Sequence, residues 1–184
     1  MAKKVCVFLA DGFEEIEGLT VVDLLRRANI EVTTVSITKE LIVHGAHKIL
    51  VQADEIFEEI KEYAQYDMLV LPGGMPGTLN LREHQELGNL LKEFYEQKKW
   101  IAAICAAPIV FGKYGFLNGE KATSYPGFEE ELIGAEYVTE PVVISNRVIT
   151  SRGMGTAIDF SLALIEQLDG KEKAEEIGTA ILYY

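Results

Sequence analysis

The sequence predicts a doubly wound α/β sandwich with a mostly parallel sheet. Four short apolar runs indicate strands, at residues 4–10, 30–37, 66–71 and 100–105. Each run is nearly continuous, as is typical of a strand that is covered on both faces. Patterns with helical spacing lie between the runs, at residues 15–29 and 84–99. Alternation of strand and helix favours right-handed βαβ units and therefore a parallel sheet.

The second half of the chain adds a strand, a hairpin and two helices. We predict a strand at residues 136–138 and a hairpin of residues 142–144 and 148–150. Helices are predicted at residues 155–168 and 171–182, and the Asp169-Gly170 step separates them. Because no Pro/Gly/Ser-rich linker interrupts the pattern, we expect a single domain over residues 1–184.

The composition excludes several classes of protein. The chain has 17 basic and 29 acidic residues, a net charge of −12, which argues against nucleic acid and anionic membranes as partners. Two cysteines are too few for a disulfide framework or a Cys-rich zinc site. No nucleotide-binding glycine motif and no long apolar run occurs. We therefore expect a cytoplasmic protein with reduced thiols, without a metal or another cofactor.

One cysteine stands where a nucleophile is expected. In doubly wound sheets the ligand site lies at the carboxyl ends of the strands. The fourth strand runs into residues 102–108, where Cys105 is surrounded by alanines and Pro108 opens a following helix. This pattern predicts a nucleophile elbow, and the helix N-terminus is expected to lower the pKa of the thiol. The alternative is that Cys105 is a small buried hydrophobic residue.

Three other strand ends carry candidate residues. The loop at residues 71–77 contains Gly73 and Gly74, whose backbone N–H groups suit an oxyanion site or an ordinary turn. The first strand precedes an acidic segment in which Glu17 lies at the edge of the apolar face, either in the site or in the first turn of a helix. Arg152, at the end of a later strand, is a candidate for holding an anion or a neighbouring glutamate.

Together these segments resemble the ThiJ/PfpI superfamily, and within it the parkinsonism-associated deglycase branch. The matching pieces are residues 14–17, 71–74, 102–108 and 150–156, and their order and spacing cover nearly the whole chain. The resemblance implies a flavodoxin-like fold, a homodimer and an oxidation-sensitive cysteine. It also implies deglycase, glyoxalase or chaperone activity, with small carbonyl compounds or glycated adducts as substrates.

The resemblance assigns roles residue by residue. Cys105 matches the nucleophile of the family, and Glu17 matches the glutamic acid that hydrogen-bonds it. Gly74 and Ala106 match the positions whose backbone amides line the oxyanion site. Arg27 matches an arginine near the dimer interface.

The sequence departs from relatives at several histidine positions. Protease-like members place a histidine directly after the cysteine, where this chain has Ala106. A histidine of the animal members corresponds to Tyr125, and His47 stands where relatives can carry an arginine. Besides Gly73 and Arg152, we therefore take Tyr125 and His47 as candidates for the substrate pocket. His47, in a predicted loop at residues 41–48, is alternatively an interface residue or an exposed loop histidine.

Four functions remain open from the sequence. A thiol beside a carboxyl group suits an enzyme in which Cys105 adds to an aldehyde and Glu17 carries protons. The same pair suits a redox sensor or chaperone whose cysteine is oxidised to a sulfinate. A peptidase or amidase is disfavoured because no histidine follows Cys105. An interaction domain with an inert cysteine is the fourth possibility.

Overall fold

The fold is built on one twisted seven-stranded sheet. The structure is a computed structural model and describes residues 2–184. The strands are β1 Lys4–Leu9, β2 Glu31–Ser36, β3 Ile42–His44, β4 Leu50–Gln52, β5 Glu55–Ile56, β6 Met68–Leu71, β7 Trp100–Ile104, β8 Lys121–Ala122, β9 Glu136–Tyr137, β10 Val142–Ser145 and β11 Val148–Ser151. The α-helices are α1 Glu15–Arg27, α2 Gly77–Glu83, α3 Gln85–Glu96, α4 Pro108–Tyr114, α5 Ala157–Asp169 and α6 Lys171–Ala180.

The strand order of the main sheet is β10-β11-β7-β6-β1-β2-β5, and all neighbours are parallel except β10 and β11. The central strands are buried on both faces, which explains why their sequences are apolar without alternation. Apolar side chains of α1, α5 and α6 form the core on one face. Those of α2, α3 and α4 form the core on the other. The predicted doubly wound arrangement is therefore observed.

The topology creates a crevice beside β1. The chain proceeds from β1 outward to β2, whereas β6 and β7 lie on the other side of β1. The order of strands thus reverses between β1 and β6, which is where ligands bind in open α/β sheets. Because β1, β6 and β7 are parallel, the segments that follow them all lie at the carboxyl edge of the sheet, beside this crevice.

Several segments differ from the sequence prediction, among them the short strands β5 and β8, which were not predicted. The predicted loop at residues 41–48 contains β3, which forms an antiparallel hairpin with β4. Helix α2 was not predicted, because its seven residues bury only one large apolar side chain, Leu81. Leu19 of α1 fits the apolar helical pattern but is exposed to solvent. No helix in the described residues has the length and apolar character needed to cross a membrane.

Candidate active site

Cys105 occupies a sharp turn between β7 and α4. Its φ angle of 65° lies in the left-handed region, which is unusual for a residue with a side chain. The turn is held on both sides, since the Cys105 amide donates to the Ser151 carbonyl at 2.9 Å and the Tyr125 amide donates to the Cys105 carbonyl at 2.8 Å. The predicted strand therefore ends one residue earlier, at Ile104, and the thiol is presented at the sheet edge in a half-buried position. This backbone geometry is that of a nucleophile elbow.

Glu17 lies in the first turn of α1 and points inward rather than toward solvent. Its side chain is only 1% exposed. Oε2 accepts a hydrogen bond from the Gly73 amide at 2.9 Å, whereas Oε1 is buried without a partner among the described residues. Burial raises the pKa of Glu17 to about 7, and the negative charge of Glu14 adds to this effect. The carboxyl group is thus able to gain or lose a proton near neutral pH.

The thiol and the carboxyl group influence each other. Burial and the adjacent Glu17 carboxylate raise the pKa of Cys105 to about 12, while the backbone amides of Ala106 and Gly74 oppose this rise. The expectation that the helix N-terminus lowers the thiol pKa is therefore wrong, because desolvation and a neighbouring negative charge outweigh the amides. Two negative charges are disfavoured at this spot, so the pair shares a proton.

Gly73 provides the space in which the pair meets. A Cβ atom at this position would lie 2.6 Å from the Cys105 Cβ and 2.7 Å from Oε2 of Glu17. Any side chain at residue 73 would therefore displace one of the two groups. The following residue, Gly74, has a φ angle of 91°, which favours glycine and turns the loop toward the sulfur.

Tyr125 and Arg152 border the site. The Tyr125 ring would lie 3.3 Å from a Cβ at Gly153, and the Cys105 sulfur would lie 3.9 Å from the same atom. The ring and the thiol therefore flank one short stretch of backbone. Arg152 is half-buried. The pKa of Glu129 is lowered mainly by hydrogen bonds from the backbone amides of Gly127 and Glu129, and the positive charge of Arg152 adds a smaller contribution. The two roles predicted for Arg152, holding an anion or a neighbouring glutamate, stay predictions.

His47 does not join Cys105. It follows β3 in the turn of the hairpin, where its Nδ1 lies 3.0 Å from Oε2 of Glu15. It makes no hydrogen bond to Cys105 or Glu17. Glu15, another acid in the first turn of α1, is almost completely buried beneath the hairpin. The acidic residues between 14 and 17 carry no sequence signal that shows which of them meets the hairpin and which meets Cys105.

The chain is similar to known proteins over nearly its whole length. Residues 3–167 match the model of the DJ-1/PfpI family. Protein DJ-1 homolog A of Arabidopsis thaliana is 40% identical over 98% of this chain and 46% of its own length. The chain spans less than half the length of this and a second Arabidopsis relative.

Two further relatives match along nearly their whole length. Glutathione-independent glyoxalase DJ-1 of Schizosaccharomyces pombe is 35% identical over 92% of this chain and 93% of its own. The structure of oxidized Toxoplasma gondii DJ-1 superposes with a TM-score of 0.94, at 40% identity and 98% coverage of each chain. The fold is therefore the flavodoxin-like α/β fold of these structures, and the chain belongs to the DJ-1/PfpI family.

Proposed function

We propose that the chain is a cofactor-independent enzyme that converts small 2-oxoaldehydes, such as methylglyoxal, into 2-hydroxy acids as a defence against carbonyl stress. The observation that carries this proposal is the half-buried Cys105 thiol on its elbow, with the Glu17 carboxyl group and the Gly74 and Ala106 amides beside it. The name of the Schizosaccharomyces pombe relative supports the same chemistry.

The first step forms a hemithioacetal. Cys105 sulfur attacks the aldehyde carbon while ionised Glu17 takes the thiol proton. Negative charge develops on the aldehyde oxygen, where the Gly74 and Ala106 amides are placed to stabilise it. Glu17 then returns the proton to this oxygen, which completes the hemithioacetal and leaves the carboxylate free again.

The second stage moves hydrogen between the two carbons. Glu17 removes the proton from the former aldehyde carbon, the electrons form an enediol, and the ketone oxygen is protonated. Protonation of the former ketone carbon, with loss of the hydroxyl proton at the former aldehyde carbon to solvent, gives a 2-hydroxy thioester on Cys105. Water hydrolyses this thioester, which releases the hydroxy acid and regenerates the thiol. The overall reaction adds one water to the 2-oxoaldehyde and needs no external oxidant or reductant.

The test is production of lactate from methylglyoxal by metal-free protein without glutathione. We expect Cys105→Ser to abolish the activity and Glu17→Gln to lower kcat by about 10²–10⁴-fold, the usual contribution of general acid–base catalysis. Cys6→Ala is the matched control, because it removes the other thiol of the chain, which lies in the core of β1. Retained activity in the Cys105 and Glu17 variants would refute the proposal, as would inactive wild type.

A redox function is the second candidate. The buried Oε1 of Glu17 accepts no hydrogen bond from the described residues, so a protonated Glu17 has a hydrogen bond to offer to an oxygen added on Cys105. Mass spectrometry after mild peroxide treatment tests it. Addition of two oxygens to Cys105 in wild type, and further oxidation in Glu17→Gln, supports this function. An unmodified Cys105 refutes it.

We further propose that the chain forms a homodimer through the exposed face of α1. An open groove of about 550 Å³ there is lined by Ile16, Leu19 and Ile49, which are partly or largely exposed. The Arg27–Asp23 ion pair lies on the rim of this groove. A patch with apolar side chains at its centre and both charges at its edge suits contact with a second copy across a twofold axis.

The dimer is tested by light scattering after size exclusion. Leu19→Glu places a charge in the apolar groove and is expected to give a monomer. Leu79→Glu, at a comparably exposed leucine of α2, is the control that is expected to remain dimeric. A monomeric wild type, or a dimeric Leu19→Glu variant, would contradict this interface.

A further inference from the structure

A second cluster of reactive side chains lies outside the Cys105–Glu17 pair. Glu14 and Glu15, at the start of α1, meet His47 in the turn between β3 and β4. The Nδ1 atom of His47 lies 3.0 Å from Oε2 of Glu15 and 3.5 Å from Oε2 of Glu14. All three ligand-type atoms lie within 4.8 Å of one another. The cluster therefore brings one imidazole and two carboxylates from two separate segments to a single point.

Glu15 is fixed in place before any ligand arrives. Its side chain is 4% exposed, and Oε1 accepts hydrogen bonds from the backbone amides of His47 at 2.8 Å and Ile49 at 3.4 Å. These two bonds orient the carboxylate, so that Oε2 faces His47. Outer contacts of this kind typically position the ligands of a metal site.

The other two side chains leave a route for an ion from solvent. The His47 side chain is 68% exposed, and that of Glu14 is 16% exposed. Both are free to adjust by the few tenths of an ångström that coordination requires. A buried, oriented carboxylate and an exposed imidazole thus form an open half-site rather than a closed cage.

The donor set and its spacing match a divalent transition metal. Zinc takes histidine nitrogen and carboxylate oxygen at about 2.0–2.2 Å, which places neighbouring tetrahedral donors about 3.4 Å apart. The separations at His47 lie on either side of this value. Two carboxylates also balance the charge of a dication, and three protein ligands leave a fourth position for water.

We propose that Glu14, Glu15 and His47 form a Zn²⁺ site, distinct from the Cys105–Glu17 pair. On binding, the metal takes the place of the proton between His47 Nδ1 and Glu15, and that proton passes to solvent. The cation holds the β3–β4 hairpin to the start of α1. Without metal, the same contacts form an ordinary histidine–glutamate ion pair.

The test is isothermal titration of the metal-free full chain with Zn²⁺ near neutral pH. We expect one ion per chain and at least a tenfold weaker affinity in His47→Gln and in Glu14→Gln. His44→Gln is the matched control, because His44 is an exposed histidine of the same hairpin and is expected to leave the affinity unchanged. Thermal unfolding without metal verifies that each variant is folded.

A second arm separates this site from the catalytic thiol. Cys105→Ser is expected to bind Zn²⁺ with wild-type affinity, and Co²⁺ bound to wild type is expected to lack a thiolate charge-transfer band. Zinc binding that is lost in Cys105→Ser, or that is unchanged in His47→Gln and Glu14→Gln, would overturn the proposal. Absence of binding would show that the cluster is an ion pair only. None of these outcomes depends on glyoxalase activity.

Discussion

Replacement of Glu17 by glutamine should make the protein more stable at alkaline pH. Glutamine keeps the shape of the side chain and its acceptor for the Gly73 amide, but it does not ionise. In the wild type, burial raises the pKa of Glu17 from 4.5 to about 7. The folded protein therefore holds a proton that the unfolded chain has already released between these two pH values, so its stability falls as the pH rises through this window.

The difference between the two pKa values sets the size of the effect. A pKa difference from 4.5 to about 7 corresponds to about 3 kcal/mol of unfolding free energy. Below about pH 4.5 none of this stability is lost, and above about pH 7 all of it is lost. We therefore expect Glu17→Gln to match the wild type at about pH 4 and to be about 3 kcal/mol more stable at about pH 8.

Urea unfolding at both pH values measures this difference. Since both proteins share every other titrating group, subtracting their unfolding free energies isolates Glu17. Glu140→Gln, at an exposed position, is the control for removing one carboxylate from a chain of net charge −12. Parallel pH profiles for wild type and Glu17→Gln would refute the buried, proton-sharing carboxyl group, as would a less stable variant at about pH 8.

Three further predictions concern Gly73, the two cysteines and the cap of α3. Gly73→Ala should reduce activity more than tenfold and lower the unfolding free energy by about 1–3 kcal/mol, because the new Cβ collides with Cys105 and Glu17. Gly155→Ala is the control, since a Cβ there meets open space and should change neither quantity. Equal effects of the two substitutions in activity and unfolding assays would refute this contrast. Iodoacetamide should label Cys105 but not the fully buried Cys6 in native protein, as peptide mass spectrometry would show; native labelling of Cys6 would contradict the core assignment. The His84 side chain accepts a hydrogen bond from the Leu87 amide at the start of α3. His84→Ala should therefore lower the unfolding free energy by about 1 kcal/mol without affecting kcat. An unchanged urea midpoint would rule out a stabilising cap at His84.

The sequence was sufficient to predict six of the seven strands of the main sheet, all except β5, and the strand end that carries Cys105. Continuous apolar runs such as those of β1 and β7 identify strands covered on both faces, and the small residues around Cys105 identify the elbow. Two other elements have hydrophobic patterns that are too weak for their prediction from the sequence. Helix α2 buries little, and the β3–β4 hairpin is short and largely exposed, so neither produces a strong periodicity.

The sequence did not predict which contacts each glutamate at the start of α1 makes. Glu14, Glu15 and Glu17 occupy one helical turn, and each is a favourable residue there. Only the tertiary structure decides that Glu17 meets Cys105 while Glu15 meets the hairpin. The pKa of Cys105 likewise depends on burial and on the neighbouring Glu17. Its position at a helix N-terminus therefore did not decide whether its pKa is raised or lowered.

In the proposed reaction, Cys105 and Glu17 isomerise an aldehyde by proton transfer through an enediol. The most direct measurement is the reaction of methylglyoxal in D₂O with metal-free protein, followed by NMR of the lactate. Because Glu17 exchanges its proton with solvent, we expect deuterium on the carbinol carbon of lactate, and no lactate from Cys105→Ser. Lactate that retains the original aldehyde hydrogen at this carbon would indicate direct hydride transfer and would refute proton transfer through an enediol.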